Sequence, residues 1–240
     1  KRRYILVIDE THHLAEDRSW ANAIAPLYEK AVFRILMSGT LFRHDGSEIA
    51  FLNDGSESVM IKYDRKTALA ERAIIPVNFI LTHGIAAWAE QKDDGKALST
   101  ALKTGFAKDR LSSCVAHWQE YRKPKGRGGL LVVAARINHA VEYLGHLKAW
   151  GLKAKIATSD DSKTALEAIK EFKDGRINIL VSVSMASEGM DVPSITHIAC
   201  LTNIRSTGWI MQMVGRAVRV DPMAGPYETQ QAFVFAPRDQ

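Results

Sequence analysis

Cysteine is nearly absent from this sequence, and so are long apolar runs. The 240 residues contain two cysteines, Cys114 and Cys200, which are far apart and form no Cys-x-x-Cys pair. This excludes a disulfide framework and a cysteine zinc site, and it predicts a reducing, cytoplasmic environment. No apolar run approaches the roughly 18 residues that a membrane-spanning helix needs. The sequence therefore predicts neither a disulfide-stabilised extracellular protein nor a membrane protein.

The first part of the chain also lacks an excess of charge of either sign. Residues 1–75 hold 11 Lys and Arg against 11 Asp and Glu, whereas residues 76–240 hold 21 against 16. The whole net charge of +5 therefore lies in the later part. A basic excess confined to one part of a chain weakly indicates a polyanionic partner such as nucleic acid. Hydrophobic residues make up 46% of the chain, which excludes disorder as its dominant state.

Short apolar segments alternate with helical patterns along most of the chain. These segments are near-continuous in apolar residues, which is typical of strands buried on both faces of a parallel sheet. Helices between successive strands provide the crossovers that parallel strands require. We therefore predict the α/β fold class. The predicted strands are Tyr4–Ile8, Phe33–Met37, Val77–Leu81, Leu130–Ala134, Lys153–Ala157, Ile177–Val183, Thr196–Leu201 and Ala232–Phe235.

Apolar residues at helical spacing predict the helices between these strands. The first covers residues 20–30, and the second begins at a cap residue, Asn138. The buried positions predicted for the later helices are Ala140, Val141, Leu144 and Leu147, then Leu166, Ile169 and Phe172, then Ile210, Met213, Val214 and Ala217. Residues 84–105 show no clear pattern, and residues 121–129 predict a basic surface loop.

Acidic and polar residues follow several of the predicted strands, which is where open parallel sheets bind their ligands. Asp9-Glu10-Thr11-His12 follows the first strand. Two adjacent carboxylates there can divide the work of binding Mg²⁺ and activating a water, or they can form a solvated acidic turn. Ser38-Gly39-Thr40 and the segment Ser184–Pro193, each taken alone, are also explained as polar turns.

The last predicted helix carries three polar residues on one face. Gln212, Arg216 and Arg219 stand at positions i, i+4 and i+7, so a continuous helix would align them. Two arginines one turn apart suit the oxygens of a transferring phosphoryl group, because the guanidinium is planar and permanently charged. A solvated basic face is the alternative interpretation.

The order of these motifs resembles that of the superfamily 2 helicases and translocases. The matching segments are Asp9–His12 for motif II (Walker B), Ser38–Thr40 for motif III, Leu130–His139 for motif IV, Ser182–Pro193 for motif V and Gln212–Arg219 for motif VI. Thr40–Arg43 and the Ser-Glu-Gly-Met-Asp form of motif V are similar to the branch that includes restriction-type motors and related bacterial or phage DExH helicases. The resemblance leaves residues 84–128 uncovered.

The resemblance implies two tandem RecA-like lobes of the P-loop NTPase type, the first incomplete, over residues 1–72 and 73–240. It implies ATP and Mg²⁺ as cofactors and nucleic acid as partner, with DNA favoured over RNA. Asp9 would bind Mg²⁺, Glu10 would activate the attacking water, and Arg216 and Arg219 would be arginine fingers. The other implied residues are His12, Ser38, Thr40, Gly189, Asp191 and Gln212 for ATP binding and coupling, and Arg136, Ser182 and Ser184 for the nucleic-acid backbone.

The sequence departs from this pattern at the phosphate loop. No Gly-x-x-x-x-Gly-Lys-Ser/Thr precedes motif II, and the one Gly-Lys pair, Gly95-Lys96, has Glu90 in place of the first glycine. Because the first residue is Lys1, we expect the missing half of the first lobe to lie upstream in the same protein, or else in a separate polypeptide. Met213 replaces an arginine that many relatives carry. We predict that these 240 residues alone do not hydrolyse ATP.

Three functions remain open from the sequence. The first is an ATP-dependent helicase or translocase motor, inactive as this fragment. The second is a nucleic-acid-binding scaffold with a dead ATP site, which the absent phosphate loop favours. The third is the motor part of a restriction or defence complex whose nuclease lies elsewhere.

Overall fold

The computed structural model describes residues 3–14, 19–39, 48–52, 58–82, 102, 105–124, 127–183, 192, 194–204 and 206–237. Four predicted site residues, Thr40, Ser184, Gly189 and Asp191, lie outside this set. The chain divides into two compact units, one formed by Lys1–Lys62 with Ser206–Gln212 and the other by Tyr63–Arg205 with Met213–Gln240.

The first unit contains two parallel strands joined by a helix. Strand β1 (Ile5–Ile8) pairs with β2 (Phe33–Leu36), and helix α1 (Ser19–Lys30) connects them. Successive side chains on a strand point to opposite faces. One face packs against a small core that includes Ile8, Leu14, Ala21, Tyr28 and Ala50. The opposite face presents exposed apolar side chains, namely Ile5, Val7, Phe33 and Ile35.

The second unit contains a parallel sheet of six strands within the described residues. Its order is β3-β8-β7-β4-β6-β5, and every neighbouring pair is parallel. The strands are β3 (Val77–Thr82), β4 (Gly129–Ala134), β5 (Ala154–Ala157), β6 (Ile179–Val183), β7 (Ile195–Leu201) and β8 (Ala232–Pro237). The described helices of this unit are α2 (Arg65–Ala70), α3 (Gly105–Arg122), α4 (Ile137–Ala149) and α5 (Ser162–Lys173), and α6 (Thr207–Gly215) has residues in both units.

Both faces of the central strands are buried. Leu130 and Val132 of β4 join the core that α3 and α4 cover. Leu131 and Val133 point to the other face and are also fully buried. This doubly covered parallel sheet confirms the predicted α/β class, and it explains why β4 reads as a continuous apolar run.

Two predicted helix faces are wrong in detail. Val141 and Leu166 are exposed, whereas the described buried stripes consist of His139, Ala140, Tyr143 and Leu147 in α4 and of Ala165, Ala168 and Phe172 in α5. The latter residues are three or four positions apart, so they form one stripe that Leu166 does not share. Helix α4 begins at Ile137, and its N-cap position is occupied by Arg136, which makes no side-chain capping hydrogen bond, and not by the predicted Asn138.

Helix α3 was not predicted from the sequence. It occupies Gly105–Arg122 and buries Ala107, Leu111, Cys114, Val115 and Trp118. The Trp118 indole donates a hydrogen bond to the carbonyl of Gly128 at 3.0 Å, which ties the helix to the start of β4. Tyr121 and Arg122, predicted as loop, therefore belong to the last turn of this helix.

A buried histidine, His197, in contact with a second histidine predicts that acid destabilises the second unit. His197 of β7 is fully buried, with its Nε2 2.9 Å from Nδ1 of His117. Burial, and secondarily the proximity of His117, lowers the pKa of His197 to about 3. Well above pH 6.5, the ordinary pKa of histidine, His197 is neutral in both the folded and the unfolded protein. As the pH decreases below 6.5, the unfolded chain binds a proton at His197 that the folded chain does not bind. The free energy of unfolding therefore decreases until about pH 3.

The expected slope from His197 approaches about 1.4 kcal/mol per pH unit below pH 6. Urea unfolding followed by tryptophan fluorescence between pH 7 and pH 5 measures it. His197→Asn should flatten the dependence, even if it lowers stability at pH 7. An unchanged slope in the variant would show that other groups cause the acid sensitivity.

Candidate functional site

The first candidate residues lie in a tight turn at the end of β1. Glu10 has φ 51 and ψ 46, the left-handed conformation, and its backbone N–H donates to Oδ1 of Asp9 at 2.9 Å. Asp9 and Glu10 are both exposed. Two accessible carboxylates at the carboxyl end of a parallel strand fit the predicted Mg²⁺ ligand and water-activating base, because Mg²⁺ needs only one or two protein carboxylates beside water and phosphate oxygens.

The end of β2 meets this turn through backbone hydrogen bonds. Met37 N donates to the Ile8 carbonyl at 2.9 Å, and Thr11 N donates to the Met37 carbonyl at 3.0 Å. The predicted motif II and motif III segments are thereby brought side by side. Thr11 was not among the predicted site residues, since nothing in the sequence distinguishes it from a spacer between Glu10 and His12.

His12 lies at the centre of a group of four polar side chains, the His12 cluster, which consists of Glu10, His12, Ser38 and Gln212. Its Nδ1 is 2.9 Å from Ser38 Oγ and 3.2 Å from Glu10 Oε2. Its Nε2 is 3.2 Å from the side-chain nitrogen of Gln212. The neutral tautomer with its proton on Nδ1 is compatible with all of these contacts, because Nε2 then accepts from the Gln212 amide.

The predicted common face of Gln212, Arg216 and Arg219 is wrong. Helix α6 ends at Gly215, so neither arginine lies on it. Arg216 N donates to Met213 O and Ala217 N to Val214 O, and these i to i−3 bonds tighten the chain into a turn. The predicted inward residues Met213, Val214 and Ala217 are buried as expected.

The two arginines have different surroundings. Arg216 is half-buried in the turn after α6. Arg219 forms an isolated antiparallel bridge with Ile74 and lines a cavity of about 20 Å³. That cavity also contacts Gly128 and Gln231, which precede β4 and β8, so it lies at the amino ends of these strands. The role of Arg219 as an arginine finger stays a prediction.

The two described residues predicted to bind nucleic acid, Arg136 and Ser182, differ in their exposure to solvent. Arg136 is exposed at the N-cap of α4, where a positively charged side chain and the first helical N–H groups can meet a phosphate. Ser182 is 1% exposed, and its hydroxyl donates to the carbonyl of Val183 at 3.0 Å. A buried hydroxyl that already has a carbonyl partner cannot serve a surface contact, so the prediction for Ser182 is not supported.

No group of three or more potential metal-binding side chains occurs among the described residues. In the same part of the chain, no helix is both long and apolar enough to cross a membrane.

Residues 113–221 match the helicase conserved C-terminal domain family. The chain is 26% identical to the uncharacterised protein Rv2917 of Mycobacterium tuberculosis over 97% of its own length and 42% of that protein. It is 24% identical to a virus protein named as a candidate helicase 22, from Sulfolobus islandicus filamentous virus, over 90% of this chain and 40% of that one.

Solved helicase-type structures share the fold. A fragment of a candidate HsdR subunit of a type I restriction enzyme from Vibrio vulnificus superposes with a TM-score of 0.65 at 17% identity, covering 96% of this chain and 42% of that one. A variant of S. cerevisiae Dbp5 bound to RNA and ADP BeF3 gives 0.60 at 13% identity, over 98% of this chain and 54% of that one. The predicted resemblance to superfamily 2 helicases is confirmed, and the chain spans about two-fifths of the curated relatives it matches.

Proposed function

We propose that this chain is part of an ATP-dependent helicase or translocase motor that moves on nucleic acid. The observation that carries the proposal is the His12 cluster, because it joins the acidic turn after β1, the serine after β2 and the glutamine of α6 through contacts of 2.9–3.2 Å. A solvated acidic turn requires no such partners. A set of contacts among three separate segments is suited to transmitting a change at a bound nucleotide.

In this proposal Asp9 binds Mg²⁺ through its exposed carboxylate, and Glu10 accepts the proton of the attacking water. Bound ATP supplies the transferable phosphoryl group, and Mg²⁺ neutralises its developing charge. Gln212 and Ser38 hold the His12 ring in one orientation. Arg216 contributes positive charge to the phosphoryl oxygens, and Arg136 contacts the nucleic-acid backbone at the start of α4.

Hydrolysis by this mechanism requires a phosphate loop, which these 240 residues do not contain. A polypeptide that supplies the loop would complete the first unit, either in the same protein or as a partner. The exposed apolar face formed by Ile5, Val7, Phe33 and Ile35 supports this, because parallel sheets are normally covered on both faces.

The test is ATP turnover by the full-length protein that contains this chain, measured with and without single-stranded DNA and RNA. We expect turnover to rise with nucleic acid, more with DNA than with RNA, and the 240-residue chain alone to show none. Absence of turnover together with intact nucleic-acid binding would instead establish the scaffold with a dead ATP site. A restriction-type motor would additionally co-purify with a nuclease subunit.

A further inference from the structure

The conformation at Glu10 requires support from its neighbours. A side chain with a Cβ atom disfavours the left-handed region, in which Glu10 has φ 51. The turn connects β1 to the short 3₁₀ segment Thr11–His13. A contact that holds Thr11, the residue after Glu10, therefore also fixes the direction in which the chain leaves the turn at His12.

Thr11 provides that support through a single acceptor. Its backbone N–H and its hydroxyl both donate to the carbonyl of Met37, at 3.0 and 3.2 Å. Thr11 is 1% exposed, so this hydroxyl is shielded from water. Met37 is followed directly by Ser38, whose Oγ lies 2.9 Å from His12 Nδ1. Thr11 therefore directly precedes His12, and Met37 directly precedes Ser38, so the hydrogen-bonded pair lies next to the His12–Ser38 contact along both segments.

We propose that the Thr11 hydroxyl is a positioning group that sets Ser38 against His12. This inference rests on the proposed function, because the His12–Ser38 contact matters for turnover only if the acidic turn belongs to an ATP site. Without the hydroxyl, one N–H remains to hold the Met37 carbonyl, and the loop after β2 can rotate about that single bond. The Ser38 hydroxyl then moves out of hydrogen-bonding distance of the His12 ring.

The first arm of the test is spectroscopic and does not need activity. Histidine labelled with ¹⁵N reports the Nδ1 and Nε2 shifts of His12 in the full-length protein. We expect Thr11→Val to change these shifts and Thr11→Ser to preserve them. The matched control is Thr229→Val, since the Thr229 hydroxyl also donates to a backbone carbonyl, that of Pro226, at 2.9 Å. Unchanged His12 shifts in folded Thr11→Val protein would overturn the proposal.

The second arm is kinetic. We expect Thr11→Val to lower nucleic-acid-stimulated kcat about tenfold, with the KM for ATP within about twofold of wild type. Thr11→Ser should restore most of the rate, and Thr229→Val should not change it. In the Ser38→Ala background Thr11→Val should have little further effect, because both variants remove the same contact. Additive losses of kcat in the double variant would contradict the proposal. A wild-type protein without ATP turnover would refute the proposed function, whereas the ¹⁵N spectra of His12 would still test the role of Thr11.

If Thr11→Val does not fold, Thr11→Ala and Thr11→Ser provide the comparison. Alanine removes the hydroxyl without adding a methyl group against the Met37 carbonyl, and serine retains the hydroxyl. Equal His12 shifts and equal kcat in these two variants would refute a role for the hydroxyl.

Discussion

Replacing Glu10 with glutamine is expected to reduce ATP turnover by the full-length protein about 10³-fold while leaving ATP binding intact. Loss of a general base typically costs between about 10² and 10⁴ in rate. Glutamine has the same shape and retains an oxygen that can face His12, which lies 3.2 Å from Glu10 Oε2, so the His12 cluster should survive. The amide cannot accept the proton of an attacking water.

Steady-state hydrolysis and equilibrium binding of a labelled nucleotide separate these two effects. Glu29→Gln is the matched control, because Glu29 is an exposed glutamate of α1 in the same unit. It should leave turnover unchanged. Turnover near the wild-type rate in Glu10→Gln would show that the acidic turn is only a solvated loop, and would remove the main support for an ATP site.

Replacing Arg216 with alanine is expected to reduce kcat about 10³-fold, the lower range for loss of an arginine finger. The effect should fall on kcat more than on KM, because the charge that Arg216 offers matters most when negative charge develops on the phosphoryl oxygens. Arg216→Lys should recover little of the rate, since an ammonium cannot reproduce the planar fork of the guanidinium.

Arg176→Ala is the control for loss of a positive charge, because Arg176 is exposed and pairs only locally with Asp174 at 2.8 Å. Arg219→Ala belongs in the same experiment. A loss equal to that of Arg216→Ala would support two arginine fingers, whereas a small loss would follow from the position of Arg219 in the cavity beside Gly128. Wild-type kcat in Arg216→Ala would contradict the proposed phosphoryl contact.

The strands could be predicted from the sequence because burial on both faces leaves a simple pattern. Leu130–Ala134 is apolar at every position, and the observed β4 differs from the prediction by one residue at its start. Helix α3 was missed, although its buried residues Ala107, Leu111 and Cys114 lie three or four positions apart as a helix requires. The charged run Lys108–Arg110 and the small size of Ala107 and Cys114 make this stripe less conspicuous than the continuous apolar strands.

The candidate site was predicted in part. Motif order identified His12, Ser38 and Gln212, and the structure brings these three side chains into contact. The sequence alone could not reveal that contact, since His12 and Gln212 are 200 residues apart. Nor could spacing show that α6 ends at Gly215, because the i, i+4, i+7 argument assumes a helix that continues through Arg219. The burial of Ser182 likewise depends on tertiary packing.

The sheet order has a consequence for how the protein is made. Strand β3 pairs with β8 among the described strands, and β8 also pairs with β7, so the last described strand inserts between two earlier ones. Val77 therefore cannot pair until Ala232 has been synthesised, about 155 residues later in the chain. At roughly 5–20 residues per second, β3 stays unpaired on the ribosome for on the order of 10–30 s. During that interval the nascent chain exposes Phe79 and Leu81 beside an open strand edge, and such an edge is prone to aggregation.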